Sequence, residues 1–349
     1  MSINWADARL EHGIRVTQVD PHDLDTERGE LTNLILSGCS VSYGYYTDTR
    51  VSAQLKTLDS NYIDGSWLRI YHSVGESFEE ELGTFVLQDE PSYTWESGAK
   101  IYTYDLQSVL WALSEDCCTS HFSIGKGAKT LDVFDRICEI VGKTGMHNPG
   151  ANNYRFSTAK VYEAGETYLQ FLFDLCSVSN NRLDVDGHGR ITISPYVPPL
   201  GKAATWSVDS QDPRTLLLSS EISWSSSSHE IPSRVIVIYS NSDTEIIGTA
   251  SRPSSSPYSS ARRGYTIAKT YSISEMTPAT KKAAQTLAQQ YLDASDASRE
   301  LSTAFLYFPC RPGDVITLTL DGDAANYMIQ SIDPVDLKSM TIKTSLKEI

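Results

Sequence analysis

The sequence predicts a β-rich α+β protein, with two β-rich parts flanking a small α+β domain. Three observations carry this. The first and last thirds consist of short runs of β-branched and aromatic residues separated by turn-rich gaps. The middle holds two segments with apolar residues at helical spacing, followed by a strict alternation around a glycine turn. A proline-stiffened linker, "SPYVPPLG", then closes the middle part before strand patterns resume. The domains so drawn are 1–114, 115–200 and 201–349.

In 1–114, "GIRVTQVD", "LTNLILSGCSVSYGYY", "TRVSAQLKTLD", "SWLRIYHSV" and "LGTFVLQDEPSYTW" read as strands. "AKIYTYD" leads into a helix, "LQSVLWALSED", with Leu106, Val109, Leu110 and Leu113 at helical spacing and Asp105 placed as its cap. In 115–200, "TLDVFDRICEIVGKTG" aligns Leu131, Phe134, Ile137, Cys138 and Val141 behind a Thr130 cap, with Gly142 or Gly145 as the stop. "ETYLQFLFDLCSVSN" is a second helix, with Leu169, Leu172, Phe173 and Cys176 inward. "NNRLDVDGHGRITISPY" (180–196) then alternates Leu183 and Val185 before, and Ile191 and Ile193 after, a turn made by Asp186-Gly187 and Gly189. That is a β-hairpin pattern.

In 201–349, "TLLLSSEISW", "SRVIVIYS", "TEIIGTA" and "YTIAKTYSI" read as strands, and the serine runs "SWSSSSHE" and "RPSSSPYSSARR" as loops. The helix "TPATKKAAQTLAQQYLDAS" has Thr277 as cap and Pro278 in its first turn. Four more strands, "RELSTAFLYF", "GDVITLTL", "NYMIQSIDPV" and "SMTIKTSLKEI", complete the chain.

Hydrophobic residues at 40% and charged residues at 21% fit a globular chain rather than a disordered one. A net charge of −15 argues against a protein that grips nucleic acid through a basic stripe; Arg262-Arg263 is the one compact basic cluster. The six cysteines form no C-x-x-C pair, so a zinc ribbon is not expected. Cys138 and Cys176 fall on apolar helix faces as core thiols, and adjacent Cys117 and Cys118 read as free thiols, which suits a reducing cytoplasm. The N-terminus lacks a signal-peptide pattern, and the longest apolar runs fall short of the ~20 residues of a membrane span, so no stable membrane insertion is expected.

Several fragments imitate catalytic motifs. "SIGKGAKT" places Ala128, not a glycine, before Lys129-Thr130, and so departs from a phosphate-binding loop. Ser123-x-x-Lys126 and Lys143-Thr144-Gly145 flank a single helix, with no S-D-N between them. The glutamates of "ESFEEELG" (Glu76, Glu79, Glu80, Glu81) read as a solvated hairpin tip, because neighbouring strand residues face opposite ways. As a calcium loop starting at Asp184, the hairpin would put His188 fifth and Pro195 twelfth, where a carboxylate is needed. The expected catalytic, cofactor-binding and metal residues are therefore none, no cofactor is expected, and the chain is not expected to be an enzyme.

The apolar helix followed by "NNRLDVDGHGRITISPYVPP", the upstream "LGTFVLQDEPSYTWESGAKIYTYDLQSVLWALSED" and the closing "RPGDVITLTL…NYMIQSIDPVDLKSMTIKTSLKEI" together resemble hub proteins of tailed-phage tail tips and baseplates. The resemblance implies two related β-barrel domains per chain around the 115–200 domain, and a homotrimer forming a pseudo-sixfold ring. It implies partners in turn: a hexameric distal tail or tail tube protein, a tape-measure protein, and tail-tip, spike or receptor-binding proteins. DNA is met only in transit through a central channel. The implied location is the virion tail tip or baseplate, after assembly in the host cytoplasm. With 19 tyrosines, a carbohydrate-binding adhesion protein of the tail tip is the alternative.

Overall fold

The computed structural model describes residues 3–7, 9–58, 61–156, 158–199, 202–212, 214–225, 231–240, 245–274, 281–295 and 300–349. The chain is a β-rich α+β protein. Its first part forms β1 (His12–Asp20), β2 (Asp23–Glu30), β3 (Ser40–Gly44), β4 (Val51–Thr57), β5 (Trp67–Val74), β6 (Phe78–Leu87), β7 (Ser92–Glu96) and β8 (Ala99–Gln107). The middle part holds α1 (Val109–Glu115), β9 (Phe122–Ile124), α2 (Thr130–Ile140), β10 (Gly145–His147), β11 (Lys160–Tyr162), α3 (Tyr168–Ser179), β12 (Asn181–Val185) and β13 (Ile191–Pro195). The last part holds β14 (Trp206–Asp209), β15 (Leu217–Ser225), β16 (Arg234–Ser240), β17 (Glu245–Ser251), α4 (Ser260–Arg263), β18 (Ala268–Ser274) and α5 (Lys281–Ala294). It ends with β19 (Glu300–Leu306), β20 (Val315–Leu320), β21 (Asp323–Asp336) and β22 (Thr341–Glu348).

The two flanking parts meet in one sheet of fourteen strands, ordered β15-β19-β22-β21-β3-β4-β8-β6-β5-β1-β2, with β20 on β21, β14 on β20 and β7 on β8. The seam is β21 against β3, antiparallel from Ser331↔Gly44 to Asp336↔Ser40. Both parts also share one core, in which Leu55, Leu68, Ile70, Phe85 and Tyr104 join Phe305, Phe308, Ile329, Ile342 and Leu346.

The middle part has its own core of Phe122, Phe134, Ile137, Phe171, Leu172, Leu183, Ile191 and Ile193, which reaches into the first part at Val19 and Trp67. Leu110 and Leu113 of α1, just before the 114/115 boundary, pack here too. Burial pushes the Cys138 and Cys176 thiols up to about 12, as suits inert core residues. A third, small unit is inserted between the paired strands β15 and β19: the sheet β17-β16-β18, with α5 packed on it.

Several local expectations change. The predicted strand "LTNLILSGCSVSYGYY" breaks at a 3-10 turn, Leu36–Gly38, and only Ser40–Gly44 is strand. Asp105 and Leu106 stay in β8, and Ser108 caps α1 by accepting from the Leu110 N–H at 3.3 Å. Thr130 is the first residue of α2 rather than its cap, and Asn153 Oδ1 accepts the Leu131 N–H at 3.2 Å instead. Strand β2, "DLDTERGE", has no apolar alternation to reveal it; it pairs with β1 through its backbone, and its charges guard a sheet edge. Thr277 and Pro278 lie outside the described residues.

Candidate functional site

The hairpin β12–β13 forms as its alternation predicts, with Leu183↔Ile193 and Val185↔Ile191 in register. Asn180 ends α3 in the left-handed region at φ 51°, a conformation that asparagine tolerates. Asn181 pins the loop before β11, accepting the Asn152 N–H and donating to the Asn152 carbonyl, both at 2.9 Å. At the turn, Asp186 Oδ1 accepts the Arg190 N–H at 2.8 Å and its Oδ2 lies 2.7 Å from Arg190 Nε. Asp186, third in a calcium loop counted from Asp184, is thus spent on closing the turn.

The turn docks on the first part. Thr84 donates to the Gly187 carbonyl at 2.8 Å, and Arg69, itself buried, donates to the His188 carbonyl at 3.0 Å and the Leu24 carbonyl at 2.9 Å. The His188 ring spans two carboxylates: Nδ1 lies 3.0 Å from Glu81 Oε1 and Nε2 lies 2.9 Å from Asp25 Oδ1. Contact is close enough that a Cβ on Gly187 would lie 2.6 Å from the Glu81 carbonyl oxygen. Nearby, Arg50 Nε donates to the Leu183 carbonyl at 3.2 Å, and Lys143 lies 4.4 Å over the Trp67 ring.

The loop "RPGD" (311–314) joins from the last part. Arg311 Nη2 reaches Glu80 Oε2 at 3.2 Å and the Glu81 carbonyl at 3.4 Å. Lys202 donates to the Gly313 carbonyl at 2.7 Å. Glu80 also takes hydrogen bonds from Tyr307 and from His72 (3.3 Å), and His72 stands 2.9 Å from His12. Burial opposes charge on Glu80, but the His72 hydrogen bond, the Arg311 charge and the Tyr307 hydroxyl outweigh it and hold the carboxyl below its usual range. Burial and then His72 likewise lower His12.

Of the four glutamates read as a solvated tip, Glu76 and Glu79 are exposed as expected, whereas Glu80 and Glu81 are organised. A bulge at Leu82, between Glu81↔Tyr71 and Gly83↔Ile70, belongs to the same stretch of β6 that aims Glu80 at the last part and Glu81 at the hairpin. A cavity of about 280 Å³ opens where the three segments meet, lined by Tyr43, Arg50, Glu81, Arg182, Asp184 and Arg311. Its charges are mutually committed: Arg182 to Asp184 at 2.9 Å, Arg311 to Glu80, Glu81 to His188. Such a site ties three parts of the chain together through hydrogen bonds and ion pairs. Of the other motif fragments, Ser123 lies in β9 and Lys126 in the loop before α2, while Thr144 and Gly145 serve the hairpin as backbone, the Thr144 carbonyl accepting the Ile191 N–H at 2.9 Å and Gly145 pairing with Ile191.

No family model matches the sequence, and no curated protein matches it. Solved structures do. A tail protein from Neisseria meningitidis superposes with a TM-score of 0.68 at 12% identity, covering 96% of this chain and 97% of its own. The chain has the fold of phage tail proteins. A tail protein of the prophage MuSo2 from Shewanella oneidensis gives 0.63 at 12% identity, over 96% and 98%. A prophage tail protein from Listeria monocytogenes gives 0.57 at 10% identity, over 95% and 94%.

Proposed function

We propose that this chain is a structural hub of a phage-type tail, joining a sixfold tail tube or distal tail protein to a threefold tip. The observation that supports it is the likeness to tail proteins over nearly the whole of both chains. In this reading, three copies assemble, each with β-barrel domains at 1–114 and 201–349 around the 115–200 domain. Six similar units then face a hexameric neighbour while the trimer axis faces the tip. The junction of Glu80, Glu81, His188 and Arg311 sets the angle between the parts, so the function is geometric rather than catalytic.

A central channel passes DNA and the tape-measure protein, and a net charge of −15 keeps phosphates from adhering to its wall. The hub is a virion component assembled in the host cytoplasm, with spike or receptor-binding proteins below it. Native mass spectrometry tests the reading: a homotrimer is expected, and a strict monomer at micromolar concentration overturns it. The exposed rings of Tyr46 and Tyr265 favour a second reading, carbohydrate binding at the tail tip. Retention of surface glycans on an array by a monomeric chain selects that alternative.

A further inference from the structure

The charge of the chain is segregated. Residues 231–294, the unit inserted between β15 and β19, hold seven Lys and Arg against four Asp and Glu, a net of +3. The rest holds 22 against 40, a net of −18. Arg234, Arg262, Lys269, Lys281 and Lys282 are exposed, and among the described residues they make no ion pair.

Among the described residues, one face of the unit's sheet is only partly covered. Strand alternation and register put Val235, Val237 and Ala250 towards α5, where they form a core with Ala288 and Leu292. The opposite face carries Arg234, Ile236 and Ile238 of β16, Ile247 and Thr249 of β17, and Thr270 of β18. Those isoleucines belong to none of the packed clusters, and Ile247 is 44% exposed.

A complementary element projects from the acidic body. In the β7–β8 hairpin, residues 99–101 pair with β7 alone, so the tip is a two-stranded arm. Every residue of β7 is exposed, with Trp95 at 70% and Tyr93 at 55%, and Asp89, Glu90 and Glu96 around them are exposed and, among the described residues, in no ion pair. Two-stranded ribbons are marginal in water by themselves, and exposed aromatic patches mark contact surfaces.

We propose that the β7–β8 arm of one copy lies on the isoleucine face of β16–β17 in a second copy of this chain. Rings cover isoleucines, and the arm's carboxylates meet Arg234 on that face. The two surfaces differ, so the contact is head-to-tail, the kind that closes into a ring. This rests on the hub reading and names the surfaces that build the trimer.

The test compares the full chain with two surface variants, Trp95→Asp and Ile247→Asp, by sedimentation at several concentrations. Wild type forms trimers, and each variant weakens association at least about 30-fold, the size of an interface hot spot. Mixing the two variants restores one intact contact and gives one-to-one dimers that do not close. A gentler arm guards against misfolding: Glu96→Lys weakens the trimer, and adding Arg234→Glu to the same chain recovers it. Wild-type trimers with both aspartate variants unchanged overturn the surfaces and leave the hub reading standing. A wild-type monomer overturns both. A short DNA duplex retained by wild type and released by Arg234→Glu assigns the basic unit to nucleic acid and overturns the contact.

Discussion

Glu80 is one carboxylate holding the two ends of the chain together. It lies on β6, yet its partners Tyr307 and Arg311 come from the last part, 227 and 231 residues away. Removing its charge leaves the Arg311 guanidinium, whose side chain is 36% exposed, facing a neutral amide, which costs about 1 kcal/mol at pH 7. The sign with pH follows from the lowered carboxyl pKa. Its stabilisation is present above the unfolded value of about 4.3 and is lost as pH falls through the folded value. Urea denaturation of Glu80→Gln at a series of pH values is expected to show a lower midpoint at pH 7 and a shallower fall in acid than wild type. Equal acid slopes in the two proteins would mean that the pairing contributes nothing.

At the scale of elements, two glycines decide how pieces dock. A Cβ on Gly187 would crowd the Glu81 backbone oxygen at 2.6 Å, and the backbone there is not in the left-handed region. Gly187→Ala therefore tests docking of the hairpin without adding turn strain, and the expected cost is about 2 kcal/mol by thermal melting. An unchanged midpoint refutes the close approach. In the inserted unit, a Cβ on Gly248 would lie 2.1 Å from the Ala284 carbonyl carbon. Gly248→Ala is expected to lift α5 from β17, read as early proteolysis between 245 and 294 with the rest of the chain intact. The same elements show what the sequence made legible. Hairpin β12–β13 was readable because its alternation and its turn residues are local. Its docking was not, since His188 and Glu81 stand 107 residues apart and each alone looks like an ordinary surface residue. Strand β2 was hidden because an edge guarded by charge carries no apolar period.

For the molecule as a whole, the distribution of apolar contacts sets an order of opening. Both flanking parts share one large core, so neither loses its packing without the other. Among the described residues the inserted unit has a small core of Val235, Val237, Ala250, Ala288 and Leu292, with Tyr239, Leu287 and Tyr291 partly buried against it, to hold three strands and a helix. At about 1.5–3 kcal/mol for each large side chain fully buried, that core offsets little of the ~1–2 kcal/mol per residue that ordering the backbone costs. The strands around it, β15 and β19, are paired with each other and do not need the insert to stay in the sheet. Hydrogen exchange in dilute denaturant is therefore expected to release amides of β16, β17 and α5 first, as one cooperative step, while β19, β21 and β22 stay protected. Simultaneous release of both sets would show the unit to be welded to the body. The measurement also bears on assembly. If the β7–β8 arm of a second copy covers Ile236, Ile238 and Ile247, the early step slows as concentration brings copies together, and it stays fast in Trp95→Asp at every concentration.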